Sequence, residues 1–230
     1  MTARGLIFDF DGVIADSEVL ANAVLAEAVS DLGHPTTVED SVNRYMGRRL
    51  SDVIALVESE IGRPVPDHFA NDLSAATLQR LRSDLQEVKG ARNFIRHFAD
   101  VPKSIASSSS LDRLQLCLGV LGLAEAFGAS IFSADMVDRG KPHPDIYLLA
   151  ARQMGVSPEH CIVIEDGVSG VRAGVAAGMT VLGLCAGSHL RSGHAQQLID
   201  AGAVHIADSW SEARELVSSL LQPPSRLQMD

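Results

Sequence analysis

The sequence predicts an α/β fold in which a Rossmann-like parallel sheet forms the core and an α-helical cap domain is inserted into it. Three observations predict this fold. An apolar run at residues 5–8 ends in two aspartates, the following stretch has helical spacing without a convincing strand, and strands then alternate with helices. We therefore predict a core of residues 1–15 and 88–222, a cap of residues 16–87, and a loose polar tail at residues 223–230.

The first predicted strand, residues 5–8, is short and apolar, as in a strand buried on both faces of a parallel sheet. Asp9 and Asp11 follow it, and Gly12 lets the backbone turn. Ligands of open α/β sheets bind beyond the carboxyl ends of the strands. Two acids one residue apart at such an edge can hold a hard cation and still leave one oxygen free to attack, whereas an isolated Asp-x-Asp is usually a solvated turn.

Four helices are predicted in the cap. The first is capped by Asp16 or Ser17 and ends at Gly33, and Gly62 with Pro64 separates the last two. The second, third and fourth cover residues 38–46, 51–61 and 67–85. Since no strand interrupts these helices, the segment is interpreted as an insert into the core.

Strands and helices alternate through the rest of the chain, which favours parallel strands joined by right-handed crossovers. The predicted strands cover residues 103–107, 129–132, 161–164 and 180–184, the predicted helices cover residues 91–99, 111–121, 144–154 and 168–177, and a last strand–helix unit ends near Leu221. Gly170, Gly174 and Gly178 fall four apart, which favours close packing of a helix on the sheet. No GxGxxG pattern follows a strand, so a dinucleotide site is not expected.

The composition argues against several classes of function. A net charge of −10 disfavours a nucleic-acid binder, which needs a basic surface. No stretch reaches the length of a membrane-spanning helix, and the first residues lead into a strand rather than a signal peptide. The three cysteines, Cys117, Cys161 and Cys185, form no CxxC pair, which favours reduced cysteines in a cytoplasmic protein.

Three further segments place polar residues at predicted strand ends. Residues 105–110 include a serine run between a strand and an amphipathic helix, where hydroxyl and backbone N–H groups can bind phosphate oxygens. Such a run is otherwise typical of a flexible linker. Its position after a strand favours Ser107 as the ligand, with Ser108 beside it.

The other two segments supply a cation and two acids. In residues 140–145, prolines stiffen a loop in which Lys141 would offer a positive charge to a transferring phosphoryl group. Residues 161–167 repeat the pattern of the first strand, with an apolar run that ends in Glu165, Asp166 and a glycine. Asp166 can complete the oxygen shell that Mg²⁺ requires.

In this order the four segments resemble the haloacid dehalogenase superfamily, in the phosphatase and β-phosphoglucomutase-like branch that carries a helical cap. The matching residues are Asp9 to Ser17, Ser107, Lys141-Pro142-x-Pro144-Asp145, and Glu165-Asp166-Gly167 with Gly170. The resemblance spans residues 5 to about 208. It implies a Mg²⁺-dependent phosphomonoesterase, because four motifs in order are far more specific than any one alone.

The resemblance also implies a role for each motif. Asp9 attacks phosphorus and becomes an aspartyl phosphate, and Asp11 protonates the leaving oxygen and then activates water. Ser107 and Lys141 complete the catalytic set by holding the phosphate. The implied substrate-binding residues are Gly12, Ser107, Ser108, Lys141 and Arg49, and the implied Mg²⁺ ligands are Asp9, Asp11 through its backbone carbonyl, Asp166, and Glu165 in or near the shell.

The implied substrate is a small phosphorylated metabolite, a sugar phosphate or sugar-acid phosphate. Arg48 and Arg49 in the cap can clamp a second anionic group, although a solvated basic turn explains them equally well. The pattern Cys185-Ala186-x-x-His189 resembles phosphogluconate phosphatases and favours a sugar acid. No nucleic-acid or membrane partner is expected, and the default is a monomer, with a dimer left open.

Three other functions compete with the phosphatase. By the same resemblance, a β-phosphoglucomutase-like phosphosugar mutase uses a cap His and a cap Arg, and Ala21 and Leu50 stand at the corresponding positions here. A haloacid dehalogenase proper does not need Asp11. A binding or regulatory protein on the same scaffold would not need the intact set of acids, serine and lysine. The mutase is therefore the main alternative.

Overall fold

The predicted α/β fold class is confirmed, and the chain divides into two compact units. The computed structural model describes residues 5–46, 48 and 50–222. One unit, called here the core unit, contains the residues up to Ala15 and those from Glu87 onward, and the helical unit is Asp16–Gln86. The predicted tail at residues 223–230 lies outside the described residues.

The helical unit is inserted after the first strand of the core and contains four helices in its described residues. They are α1 (Glu18–Asp31), α2 (Val38–Arg44), α3 (Leu50–Ile61) and α4 (Phe69–Asp84). Their apolar faces enclose Val29, Tyr45 and Val57, which are almost fully buried. Thr37 and Asp40 form a capping box that satisfies backbone N–H groups at the start of α2.

The core unit is built on a parallel sheet that has six strands in the part of the chain described. They are β1 (Gly5–Phe8), β2 (Lys103–Ser107), β3 (Ile131–Ser133), β4 (Cys161–Glu165), β5 (Thr180–Leu184) and β6 (His205–Ala207). The order across the sheet is β3-β2-β1-β4-β5-β6, so β1 lies between β2 and β4. Every residue of β1 and β4 is buried, which explains why both strands are apolar up to Glu165, the last residue of β4.

Helices cover both faces of β1. The helices of the core unit are α5 (Ala91–His97), α6 (Leu111–Leu121), α7 (Ala124–Phe127), α8 (Asp145–Met154), α9 (Val168–Ala176), α10 (His194–Ala201) and α11 (Trp210–Leu221). On one face, the ring of Phe8 packs edge-on against Phe94 and Phe127, with centroids 5.9 and 5.7 Å apart. On the other face, Ile7 belongs to a buried cluster with Tyr147. The alternation of side chains along a strand produces these two apolar layers.

Two helices of the structure were not predicted, and several element boundaries differ from the predicted ones by one or two residues. The helices α7 and α10 were not predicted, and β3 begins at Ile131 rather than at residue 129. A single turn such as α7 is too short to show helical spacing of apolar residues. The helix α10 follows the glycine-containing stretch at residues 187–193, which in sequence is typical of a loop.

Two of the three evenly spaced glycines pack as predicted. At Gly174 a Cβ atom would lie 2.7 Å from the Val181 side chain, so α9 rests directly on β5, and at Gly170 it would collide with the Glu165 carboxylate. Gly178 was wrongly included in this packing. It lies beyond α9 with φ of +73°, and no atom lies within 4 Å of the position of a Cβ, so its role is to turn the chain.

The three cysteines are unpaired, as predicted. Cys117 and Cys161 are buried and Cys185 is half-buried. Burial raises the pKa of each thiol to about 11, which makes all three weak nucleophiles near neutral pH. Among the described residues, none of the helices has both the length and the apolar character needed to span a membrane.

Candidate active site

The carboxyl ends of β1, β2 and β4 lie side by side and bring the predicted motifs together. The backbone N–H of Asp9, just beyond β1, donates to the carbonyl of Ile164 in β4 at 2.9 Å. Ser107 ends β2, and Glu165 with Asp166 ends β4. Residues far apart in sequence therefore meet because the parallel strands end at the same edge.

Lys141 balances the charge of two buried carboxylates. Its Nζ lies 2.6 Å from Asp9 Oδ1 and 2.8 Å from Glu165 Oε1, and its side chain is 4% exposed. Burial lowers the pKa of Lys141, but Asp9 and Glu165 outweigh that effect, and the pKa lies well above its ordinary value. Burial, opposed by Lys141, raises the pKa of Asp9. Lys141 is therefore a fixed positive charge beside the first strand end.

Both carboxylate oxygens of Glu165 accept hydrogen bonds from the protein. Oε1 accepts from Lys141 and from the Tyr147 hydroxyl at 3.1 Å, and Oε2 accepts from the Gly167 backbone N–H at 2.6 Å. The Tyr147 ring also lies 4.9 Å from Lys141 Nζ, as in a cation–π contact. The side chain bends back over Gly170, where any Cβ would collide with it. Three donors on one carboxylate leave little capacity for a metal, which favours Glu165 as an anchor for Lys141.

One group of carboxylates in the described part of the chain has the spacing of a metal site. One oxygen each from Asp9, Glu165 and Asp166 lie within 4.8 Å of one another, and all three residues are buried. Carboxylate oxygens are the donors that Mg²⁺ prefers, and Mg²⁺ needs only one or two of them because it retains water. Three carboxylates face a single ammonium group, that of Lys141, and a divalent cation would offset the remaining negative charge. The residues present fit the predicted ion.

Asp11 has different partners from Asp9. Its Oδ2 accepts a hydrogen bond from the Ser109 hydroxyl at 2.6 Å, and its Oδ1 accepts one from Arg113 at 2.7 Å. Ser109 precedes α6 and Arg113 lies in its first turn. The group with metal-site spacing does not include the Asp11 side chain, and the predicted contact of Mg²⁺ with the Asp11 backbone carbonyl stays a prediction.

The predicted phosphate-binding residues lie around the same strand ends. Ser107 is buried, and its Oγ accepts a hydrogen bond from the Ser109 backbone N–H at 3.1 Å, which leaves the hydroxyl hydrogen to donate. Ser108 is exposed at the start of the loop that leads into α6. Gly12 has φ of +78°, and any side chain there would collide with the Asp166 carboxylate. A glycine at this turn therefore allows the first and fourth motifs to touch.

Two histidines, one before α10 and one at its first position, contact Asp166. His189 is 8% exposed, and its Nε2 lies 3.1 Å from Asp166 Oδ2. His194, the first residue of α10, places its ring Nε2 against the Asp166 backbone carbonyl. The loop before α10 therefore contacts the carboxylate of Asp166, and the start of α10 contacts its backbone.

The predicted arginine clamp belongs to the helical unit. Arg49 lies outside the described residues. Arg48 is exposed, and its Nε donates to the Arg44 carbonyl at 2.8 Å, one helical turn earlier. That contact holds the Arg48 side chain against the backbone of Arg44. Binding of a second anionic group by these arginines remains a prediction.

Sequence analysis did not predict several residues of the site. Ser109, Arg113 and Tyr147 were not singled out, nor was His194. Arg113 and Tyr147 are each the third residue of a helix that follows a motif loop, namely α6 and α8. A helix that follows a strand begins at the carboxyl edge of the sheet, where ligands bind. A polar side chain in the first turn of such a helix could therefore have indicated a site residue.

Comparison with known proteins identifies the family. The sequence profile of the haloacid dehalogenase-like hydrolases matches residues 3–178, and the chain therefore belongs to this family. It is 30% identical over 187 residues to the 6-phosphogluconate phosphatase of Escherichia coli K12, over 81% of this chain and 84% of that protein. The enzyme class follows: the protein is a haloacid dehalogenase-like hydrolase, and its curated relatives include phosphatases.

Two solved structures resemble the whole chain. A haloacid dehalogenase family hydrolase from Deinococcus radiodurans, solved with bound phosphate and sodium, has a TM-score of 0.82 and 33% identity over 95% of this chain and 96% of that one. A putative β-phosphoglucomutase from Thermotoga maritima has a TM-score of 0.80 and 27% identity over 95% and 100%. The helices inserted after β1 match the cap architecture of this family.

Proposed function

We propose that the protein is a Mg²⁺-dependent phosphomonoesterase that hydrolyses a sugar phosphate or sugar-acid phosphate through an aspartyl phosphate on Asp9. One observation carries the proposal: Asp9, Lys141 and the pair Glu165–Asp166 converge at one sheet edge, with Asp11 two residues further along the chain. Together they provide an oxygen nucleophile, positive charge for the phosphoryl oxygens and a proton carrier. These are the elements that phosphoryl transfer requires.

Asp9 is the proposed nucleophile. One of its oxygens is held by Lys141, and the other attacks phosphorus as the bond to the leaving oxygen breaks. Burial raises the pKa of Asp9 and so favours the unreactive acid form, while Lys141 favours the carboxylate. When bound, Mg²⁺ supplies further charge that favours the carboxylate and offsets the phosphate.

Asp11 is the proposed proton carrier. As an acid it gives its proton to the leaving alcohol, and as a carboxylate it then takes a proton from the water that hydrolyses the aspartyl phosphate. This second step releases phosphate and restores Asp9. The hydrogen bonds from Ser109 and Arg113 fix the direction of the Asp11 carboxylate.

Hydrogen-bond donors at the strand ends are proposed to hold the phosphate. They are the Ser107 hydroxyl, the polar groups of Ser108 and the ammonium of Lys141. The Gly12 N–H donates to the Ala15 carbonyl at 2.7 Å, so the proposed contribution of Gly12 is the space that its missing side chain leaves at the turn. The N-terminus of α6 follows this serine segment directly, and its dipole favours an anion there. These contacts treat only the phosphate, which every candidate substrate shares.

The substrate class rests on the relatives and on one residue of the helical unit. The related E. coli enzyme is a 6-phosphogluconate phosphatase, and 6-phosphogluconate carries a carboxylate as well as a phosphate. We assign Arg49 to such a second anion, since a guanidinium binds a carboxylate with two parallel hydrogen bonds. The proposed substrate is therefore a sugar acid or sugar with a single phosphate ester.

A phosphosugar mutase is the second candidate. It is favoured by the likeness to the putative β-phosphoglucomutase of T. maritima. Against it, Ala21 and Leu50 stand where the mutase type is expected to have a histidine and an arginine. The two functions differ in the fate of the phosphoryl group, which a phosphatase delivers to water and a mutase returns to the sugar.

A phosphate-release assay with a panel of substrates tests the proposal. The panel contains hexose phosphates, phosphorylated sugar acids and an aryl phosphate, each with Mg²⁺ and with a chelator, and Asp9→Asn serves as the inactive control. We expect Mg²⁺-dependent release that is fastest for a sugar or sugar acid. Isomerised sugar phosphate without free phosphate would instead establish the mutase, and release that persists in Asp9→Asn would remove Asp9 from the mechanism.

A further inference from the structure

His189 is a buried residue to which the proposed chemistry assigns no step. It lies in the segment between β5 and α10, and its side chain is 6% exposed. Its Nε2 lies 3.1 Å from Oδ2 of Asp166, which is within hydrogen-bonding distance. A donor fixed on one oxygen of a carboxylate limits the rotation of that carboxylate and leaves its second oxygen facing elsewhere.

The protein leaves a narrow slot for the His189 ring. A Cβ on Gly12 would lie 2.7 Å from Cε1 of the ring, and a Cβ on Gly187 would lie 2.7 Å from the same atom and 2.8 Å from Nδ1. Real Cβ atoms do not approach heavy atoms this closely. Two glycines from different loops are therefore needed for the ring to reach Asp166.

The two glycines are required for different reasons. Gly12 has a positive φ, so a side chain there is strained whatever the space around it. Gly187 is not among the glycines with positive φ, so only the space around it, filled by His189 and by the Gly12 carbonyl at 2.9 Å, opposes a side chain. An alanine at position 187 would therefore press on the His189 ring while both polar groups of the contact remained.

We propose that His189 is a positioning residue for the metal site: it orients the Asp166 carboxylate so that one oxygen faces Asp9, and it thereby sets the affinity for the divalent cation. The inference rests on the proposed function, because it takes Asp9 and Asp166 as ligands. Residues that orient a ligand typically change metal affinity by about 10- to 100-fold when they are removed. His194 contacts the Asp166 backbone carbonyl, whereas His189 contacts the carboxylate itself.

Direct metal binding tests this role without relying on catalysis. The probe is Mn²⁺ added to metal-free protein and followed by electron paramagnetic resonance, since Mn²⁺ accepts the same oxygen ligands as Mg²⁺. Four variants are compared with the wild type: His189→Leu, His189→Gln, Gly187→Ala and His160→Leu. The last is a matched control, because His160 directly precedes β4 and so lies at the opposite end of the strand that leads to Asp166.

We expect His189→Leu to weaken Mn²⁺ binding by about 10- to 100-fold. Gly187→Ala should weaken binding in the same direction, and His189→Gln, whose amide can donate to Asp166, should recover most of the affinity. In the phosphatase assay, the Mg²⁺ concentration for half-maximal rate should rise while kcat at saturating Mg²⁺ stays close to that of the wild type. A purely structural role would lower kcat and would not be rescued by glutamine.

Unchanged or tighter Mn²⁺ binding in a folded His189→Leu protein, checked by its thermal melt without metal, would overturn the inference. If that variant does not fold, unchanged binding in Gly187→Ala would overturn it instead. Absence of Mn²⁺ binding in the wild type would overturn both the inference and the proposed metal site. Wild-type binding with unaffected variants would overturn only the role of His189 and leave the proposed function standing.

Discussion

One set of ion pairs in the core unit and one pair in the helical unit differ sharply in how far their side chains are exposed to water. In the core unit, Lys141 and its partners Asp9 and Glu165 have side chains that are 4%, 12% and 3% exposed. In the helical unit, the pair Arg80–Glu27 has side chains that are 37% and 66% exposed. The first set is desolvated and held in one arrangement, whereas the second remains in contact with water.

This difference shows that buried charged side chains indicate the position of an active site better than a count of ion pairs does. Exposed pairs are typically worth less than about 1 kcal/mol and tolerate replacement. Buried charges cost free energy to desolvate and are retained where function requires them. The buried set in this protein lies at the edge of the sheet where ligands of α/β folds bind.

The largest expected effect is on catalysis. Asp9→Asn keeps the shape of the side chain but removes the attacking charge, so turnover should fall by more than about 10³-fold. The fold should survive, because Lys141 keeps its contact with Glu165. Phosphate release measured alongside a thermal melt checks this prediction. A folded variant that retains a substantial fraction of activity would contradict it.

The next prediction compares the two kinds of ion pair directly. Lys141→Met leaves two buried carboxylates without their cation and should lower the free energy of unfolding by about 3–5 kcal/mol. Arg80→Met likewise replaces the cation of an ion pair with methionine, but that pair is exposed, so the free energy of unfolding should change by less than about 1 kcal/mol. Urea denaturation of both variants measures the difference. Equal losses in the free energy of unfolding for the two variants would show that the buried and the exposed ion pairs do not differ in this way.

A third prediction concerns the metal. Asp166→Ala should weaken Mg²⁺ binding far more than it weakens folding, because it removes one of the predicted ligands, and excess Mg²⁺ should restore part of the rate. Asp200→Ala is the matched control, because Asp200 is exposed on α10. Ca²⁺ should inhibit the wild type, since its longer bonds and looser geometry disturb the alignment of the reacting atoms. A Mg²⁺ titration of each variant decides, and an unshifted curve for Asp166→Ala would place the metal elsewhere.

The smallest effect should come from the helical unit. Arg49→Ala should lower kcat/KM for substrates with a second anion by about 10- to 100-fold, the value of one lost charge-assisted hydrogen bond of about 1.5–3 kcal/mol. Hydrolysis of an aryl phosphate should change much less. Arg82→Ala, an exposed arginine of α4, is the control. Equal losses on both substrate types would show that Arg49 contacts the phosphate or supports the fold.

Much of the fold was predictable because fully buried parallel strands have uniformly apolar sequences. The runs at β1 and β4 showed where those strands end, and the acids that follow, Asp9 and Asp166, lie at the same edge of the sheet. The helix α10 was missed because the loop before it contains glycines at positions 187 and 193, and glycine is as typical of a loop as of a helix boundary.

The side-chain contacts of the site were less predictable. The bond from Arg113 to Asp11 depends on which side of α6 faces β1, and the bond from Tyr147 to Glu165 depends on how α8 packs on the sheet. Neither packing arrangement can be predicted from the spacing of residues within the local sequence. Partners from separate elements require the three-dimensional packing, while the residues that end a strand do not.

The most direct test of the account is to trap the phosphoryl group on Asp9. Sodium borohydride reduces an aspartyl phosphate to homoserine, so the protein is quenched with it during turnover and its peptides are sequenced by mass spectrometry. The account predicts homoserine at position 9 when both Mg²⁺ and a hydrolysed substrate are present, and none without substrate. Turnover that proceeds without modification at Asp9, or with modification at another aspartate, would contradict it.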